Sequence, residues 1–231
     1  MAAAERRERE REERRSAILD AAERVFLSTS VGDATMDEIA AAAELSKGTL
    51  YLYFDRKDEL FLAIALRALT AVISRFEAAR EEGGTGLEQV ERLMRAFVDL
   101  AQENPDRFRV AMGWMAAEYP VSAASQRFNE YLKSIAQMAQ HAIEAIDFGK
   151  KDGSIRKDIP TARLAMHLWG STVGILTVQS DAKEISRRTP FDLDFATLAP
   201  SFVDLIIQAI RDPGHVTGLD LLPESGPRSA K

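Results

Sequence analysis

Apolar residues recur along this chain every three to four positions and alternating β-branched runs are missing, so the pattern predicts helices from end to end. A charged run over residues 5–15 leads into the first apolar period, Ile18, Ala22, Val25 and Phe26, which share one helical face. Residues 28–33 (Ser-Thr-Ser-Val-Gly-Asp) break it. Thr35 then stands as an N-cap with Glu38 three positions on, the spacing of a capping box, and opens a short helix that turns Ile39, Ala40 and Ala43 inward. A turn at Glu44-Leu45 leads to a third short helix over 46–54, with Leu50 and Phe54 facing inward. Lys57 or Asp58 starts a long helix, periodic at Leu60, Ile64 and Leu69, that runs to about Arg80. The stretch Glu-Glu-Gly-Gly-Thr-Gly at 81–86 ends it and marks the best subdomain boundary.

Beyond that boundary the helices lengthen. They are expected over 87–103, 106–118, 123–148, 161–180 and 193–211, with stops at Asn104-Pro105 and Tyr119-Pro120 and a loop between Gly149 and Pro160. The chain then divides into an N-terminal arm and three-helix head over 1–57, a helical body over 58–211 and a disordered tail over 212–231. The first body helix, 58–80, is the connector. The fold class expected is all-α, a small head on a larger C-terminal helical bundle.

The 231 residues are 46% apolar, enough to bury a sizeable core, and contain no cysteine, which removes disulfides, thiolate metal sites and thiol nucleophiles. The charged N-terminus lacks the apolar centre of a signal peptide. The longest apolar stretch, Leu164 to Val178, is interrupted by His167, Ser171, Thr172 and two glycines, short of the roughly 20 apolar residues of a membrane span. A soluble, cytoplasmic chain without a membrane partner is expected. His141, His167 and His215 have no carboxylate at ligand spacing, and there is no Gly-x-Ser-x-Gly or phosphate-loop pattern. No metal, cofactor or catalytic residue is therefore expected.

A net charge of −6 repels phosphate, so any affinity for DNA must be local. Residues 1–60 hold ten Arg or Lys against fourteen Asp or Glu, yet residues 45–57 carry Lys47, Arg56 and Lys57 against Asp55 alone. That segment lies where two short helices joined by a tight turn follow a packing helix, the arrangement of a helix-turn-helix. Its second helix enters the major groove, so its outer face needs donors, a small residue for close approach and aromatic reach. Lys47, Gly48 and Tyr51 face outward together and supply all three.

These residues resemble the tetracycline-repressor (TetR) family. The family's first helix is echoed by Ile18, Ala21-Ala22 and Val25-Phe26. The rest of its pattern is echoed by Thr35, Ile39-Ala40, Ala43, Ser46-Lys-Gly-Thr-Leu-Tyr51, Tyr53-Phe54, Lys57 and Leu60, about forty residues in all. Gly153-Ser-Ile-Arg156 and Asp158 resemble a loop common in such regulators. The resemblance implies a homodimer that binds a near-palindromic operator in double-stranded DNA and is released by a small, mostly apolar effector. It places Lys47, Gly48 and Tyr51 at base edges, and Thr35, Thr49, Tyr53 and Lys57 at phosphates. Ser46 and Leu52 belong to the same surface, where Leu52 either meets a thymine methyl or packs on a neighbouring helix. The chain departs from the family at Glu44, which stands where the turn usually has glycine. Either Glu44 takes a left-handed conformation or the turn differs.

In the body, Phe97, Phe108, Met112, Met115, Phe128, Tyr131, Met138 and Trp169 suit the walls of a ligand cavity, with Tyr131 or His141 holding one polar group. Each residue taken singly reads as plain core, and it is the family resemblance that makes the group read as a pocket. Dimerisation is expected through the last two long helices, by way of Leu168, Ile175, Leu198, Phe202, Leu205 and Ile206. The competing reading is a dimeric helical ligand-binding or interaction module that has lost its affinity for DNA.

Overall fold

In the computed structural model, which describes residues 2–116, 125–188 and 194–214, every regular element is a helix. The first, α1 (Ala2–Asp33), carries the charged run and the first apolar period in one element. The break expected over 28–33 is a kink rather than an end. Ser30 leaves helical geometry at φ 75° and ψ 159°, and its hydroxyl bonds Asp33 Oδ2 at 3.0 Å to restart the turn. Next comes α2 (Met36–Ala42), opened by the expected capping box: the Thr35 hydroxyl accepts from the Glu38 amide while Glu38 Oε2 accepts from the Thr35 amide.

The turn after α2 answers the question raised by Glu44. Its φ is 56°, so a glutamate sits in the left-handed conformation and lets Leu45 N reach back to Ala40 O at 2.9 Å. The third helix, α3 (Lys47–Tyr51), is shorter than the 46–54 expected. Leu50 O accepts from both Tyr53 N (3.0 Å) and Phe54 N (3.1 Å), which tightens the last turn and drives Phe54 into the interior.

The connector is α4 (Lys57–Glu81), and its apolar residues serve two cores. Leu60, Phe61, Ala63 and Ile64 join Ile18, Phe26, Ile39, Leu50 and Phe54 in the head. Leu62, Ala65, Leu69, Val72 and Phe76 join the body. A rigid rod anchored at both ends cannot tilt in one core without moving in the other.

The body comprises α5 (Gly86–Glu103), α6 (Pro105–Ala116), α7 (Gln126–Asp152), α8 (Thr161–Ser180), α9 (Ala182–Arg188) and α10 (Phe195–Ile210). Pro105 opens α6 as its first residue, where a missing N–H costs nothing, rather than merely stopping α5. The loop expected from Gly149 starts four residues later, because α7 continues to Asp152 and is closed by Gly153 at φ 83°. Gly149 stays helical since it lies against Gly86 of α5, where a side chain on either residue would collide with its neighbours. The short α9 falls outside the sequence expectation. Residues 154–156 tie the far end together: Arg156 N bonds Ile210 O at 3.0 Å, Asp212 N bonds Ser154 O at 3.1 Å, and Leu87 N bonds Ser154 Oγ at 3.1 Å. The expected tail lies outside the described residues beyond Gly214.

Candidate functional site

The outer face of α3 carries what a groove-reading helix needs. Ser46, Lys47, Gly48, Tyr51 and Leu52 are exposed, while Leu50 beneath them is fully buried. Ser46 caps the helix by accepting from Thr49 N at 3.1 Å, and its hydroxyl lies 2.8 Å from that of Thr49. Leu52 is 79% exposed, so it does not pack on a neighbouring helix, and only the thymine-methyl alternative keeps a role for it. Lys47 Nζ lies 2.6 Å from Asp37 Oδ1 on α2. That hydrogen bond, with the carboxylate's charge behind it, raises the lysine's pKa above its ordinary value and keeps the ammonium charged.

Gly48 supplies an independent pointer to a partner outside the chain. A methyl group added there would meet only Ser46 Oγ, at 3.9 Å, so nothing in the fold requires glycine. Glycine inside a helix costs about 0.5–1 kcal/mol relative to alanine. Gly48→Ala is therefore expected to raise the melting temperature slightly while weakening operator binding, and unchanged DNA affinity would remove Gly48 from the interface.

Other residues assigned to phosphate have work inside the head. Thr35 Oγ1 is held in its capping box, donating to Glu38 Oε2 at 2.9 Å. Tyr53 is half-buried against the head core. Lys57 Nζ donates to the carbonyls of Gly32 (2.5 Å) and Ala34 (2.7 Å), binding the α1–α2 link to the start of α4. In the N-terminal arm, Arg6 pairs with Glu10 at 3.6 Å, and the guanidinium of Arg15 lies 5.4 Å from the centre of the Phe54 ring.

Two apolar cavities of the body share a common wall. The first, about 250 Å³, is lined by Leu69, Val72, Phe97, Phe108, Met112, Tyr131, Met138 and Trp169 among others, with Asn104 and Arg107 at the α5–α6 corner. The second, about 280 Å³, runs on past Phe97, Ile135, Met138 and Trp169 toward Phe76, Met94 and Met166. Six of the expected cavity residues thus come together. Phe128 instead packs on the body core, and the side chain of Met115 lies outside the described residues. His141 is buried beside α4, with its ring edge-on to Phe76 at 6.2 Å and Nδ1 3.1 Å from Arg80 Nη1. It lines neither cavity. Burial pushes the Tyr131 phenol up to about 12, so it enters any contact neutral.

The outward face of α8 and α10 is more apolar than a solvated surface requires. Met166 is 62% exposed, Leu205 63% and Val178 41%, and methyl groups added at Gly170 or Gly174 would meet nothing within 4 Å. Leu198, Phe202, Ile206 and Ile175 are half-buried. Leu168 points into the body core at 6% exposure, so it cannot meet a partner, and Met166, two residues earlier, takes its place on the outer face.

Among the described residues, no helix is long and apolar enough to cross a membrane. The sequence model for bacterial regulatory proteins of the tetR family matches residues 18–64, which hold most of α1's apolar period, α2, α3 and the start of α4. The chain is 33% identical over 100 residues to the HTH-type transcriptional activator FasR of Mycolicibacterium smegmatis, a match spanning 43% of this chain and 46% of that one. It is 28% identical over 179 residues to the HTH-type transcriptional regulator UidR of Escherichia coli, spanning 77% of this chain and 86% of that one. The fold matches that of the transcriptional regulator FadR from Bacillus subtilis, solved in complex with stearoyl-CoA. That likeness has a TM-score of 0.66 at 19% identity and covers 84% of this chain and 98% of the other. With the family match over residues 18–64, the similarity to a transcriptional regulator over most of the chain and the shared helical body in agreement, the chain carries the DNA-binding head of the tetR family of bacterial regulatory proteins and is a DNA-binding transcription regulator.

Proposed function

We propose that this regulator is a homodimeric repressor that holds a near-palindromic operator and leaves it when a small, mostly apolar molecule enters the body cavity. The observation that carries this reading is the position of that cavity against α4. Ala65, Ala68, Leu69, Ala71 and Val72 line it, and the same helix, one turn earlier, is part of the head core. A ligand that prefers one tilt of α4 therefore also sets the position of the head. It shifts the equilibrium only by its differential affinity for the two states, and a tenfold loss of DNA affinity needs about 1.4 kcal/mol. The acyl thioester bound by the structurally similar FadR supports an apolar chain as the occupant. The sign of regulation is proposed as repression, while FasR is by name an activator. Compounds that raise the melting temperature are expected to lower operator affinity in the same titration. If the tightest binders leave DNA affinity untouched, the switch is refuted.

Dimerisation is proposed through the outer face of α8 and α10. A two-fold pair sets its recognition helices about 34–36 Å apart, one turn of duplex. Met166→Glu combined with Leu205→Glu changes two residues already exposed in the subunit, so the fold should survive while the dimer separates. Light scattering is expected to report a monomer, and a dimer of unchanged mass would place the interface elsewhere.

A further inference from the structure

Arg107 serves the cavity and the head at once. Its side chain lines the first cavity beside Asn104, and its Nε and Nη2 donate to Oε1 and Oε2 of Glu23 on α1 at 2.8 and 3.3 Å. Glu23 is only 7% exposed, and burying a carboxylate without a partner is costly, so these bonds tie α6 to α1. Arg67 of α4 shares it and also bonds Asp20 at 2.7 Å, so two guanidiniums from the body hold two carboxylates of α1. Of the described residues lining either cavity, Arg107 alone is charged. Its Nη1 carries no hydrogen bond to a described residue.

The geometry points to an amphipathic carboxylate as the ligand of this cavity: an acyl chain lies along the apolar walls, and its carboxylate takes the Arg107 fork that now holds Glu23. The inference rests on the ligand-responsive reading above and names the ligand class and the contact it breaks. One guanidinium balances one anionic group, and the described residues of the walls offer no second cation for a polyphosphorylated headgroup. A guanidinium fork fits a planar carboxylate in two parallel bonds, so ligand and Glu23 are like-for-like competitors for it. Once Arg107 turns to the ligand, α6 keeps its packing on the head through Val110 but loses its charged tie to Glu23 of α1, which retains Arg67. Because the coupling is reciprocal, operator DNA must weaken binding of the acid by the factor by which the acid weakens binding of the operator.

The test titrates the full chain with octanoate, dodecanoate and hexadecanoate, with their methyl esters, and with dodecanoyl-CoA, in the presence and absence of operator. At least one acid should bind about tenfold or more tighter than its ester, and operator should weaken it. Arg107→Met retains the apolar stem and should bring that acid down to the affinity of its ester. Glu23→Gln should do the reverse, tightening the acid and leaving the ester unchanged, a split that mere loss of stability cannot produce. Equal binding of acid and ester, an acid preference that survives Arg107→Met, or binding of the thioester alone would overturn the assignment while leaving an apolar pocket in place. Should no acyl compound bind while other apolar compounds still release the operator, the ligand class is wrong and the switch stands. If no bound compound alters operator affinity, the switch fails and takes this inference with it.

Discussion

Gly86→Ala is expected to destabilise the body more than any other single methyl group added to this chain. A Cβ at position 86 would lie 2.0 Å from Gly149 N, 2.2 Å from Gly149 Cα and 2.7 Å from Ala145 O, all of them backbone atoms of α7. No rotamer change relieves a clash with backbone, so α5 and α7 must separate. The same corner would then lose the Gly86 N bond to Asp152 Oδ2 (2.7 Å) and the Leu87 N bond to Ser154 Oγ (3.1 Å). Overpacking costs typically 1–3 kcal/mol, and with one buried and one half-buried bond lost as well the total should reach about 3 kcal/mol or more. Urea unfolding at matched protein concentration reads this directly. A midpoint within error of the parent would mean that the helices tolerate a wider spacing than this contact implies. Gly149→Ala should cost less, because its nearest obstacle is the flexible end of Ile155 at 2.5 Å.

Lys47→Ala and Tyr51→Ala should each reduce operator affinity by about 1–3 kcal/mol, roughly 5- to 150-fold, with much smaller losses on random duplex. Both side chains are exposed on α3, and neither joins the head core, so folding should be unaffected. Lys47 has one complication, since DNA must draw its ammonium away from Asp37. Asp37→Asn should therefore strengthen binding modestly by releasing it. Fluorescence anisotropy against operator and scrambled duplex separates the two kinds of contact. Equal losses on both duplexes for Tyr51→Ala would move that residue from base edges to the phosphate backbone.

The head was legible because its signals are local. A capping box at Thr35 and Glu38, an inward pair at Leu50 and Phe54, and polar outward positions at Lys47 and Tyr51 each act within one helical turn, and each recurs in the structure. What the sequence could not show depends on contacts far apart in the chain. Gly149 reads as a loop glycine until Gly86 is seen against it, 63 positions away. The bonds of the Lys57 ammonium to the carbonyls of Gly32 and Ala34 likewise join segments more than twenty positions apart. Leu168 and Met166 are equally apolar in the sequence, and only the rotation of α8 against α5 and α10 decides which of them faces the core. The composition of the cavity was foreseeable. Its single charged residue was not, because Arg107 earns its meaning from Glu23, 84 positions earlier.

Selection of bound duplexes from a random pool by the purified protein tests most directly whether α3 reads sequence as part of a two-fold regulator. Enrichment of an inverted repeat whose half-sites are centred one helical turn apart, or a multiple of it, is the predicted result. Lys47→Ala and Tyr51→Ala should each relax the preference at particular half-site positions. A pool that stays random after repeated rounds, with retention lost on raising salt, would leave only electrostatic attachment and contradict sequence-specific recognition by this head.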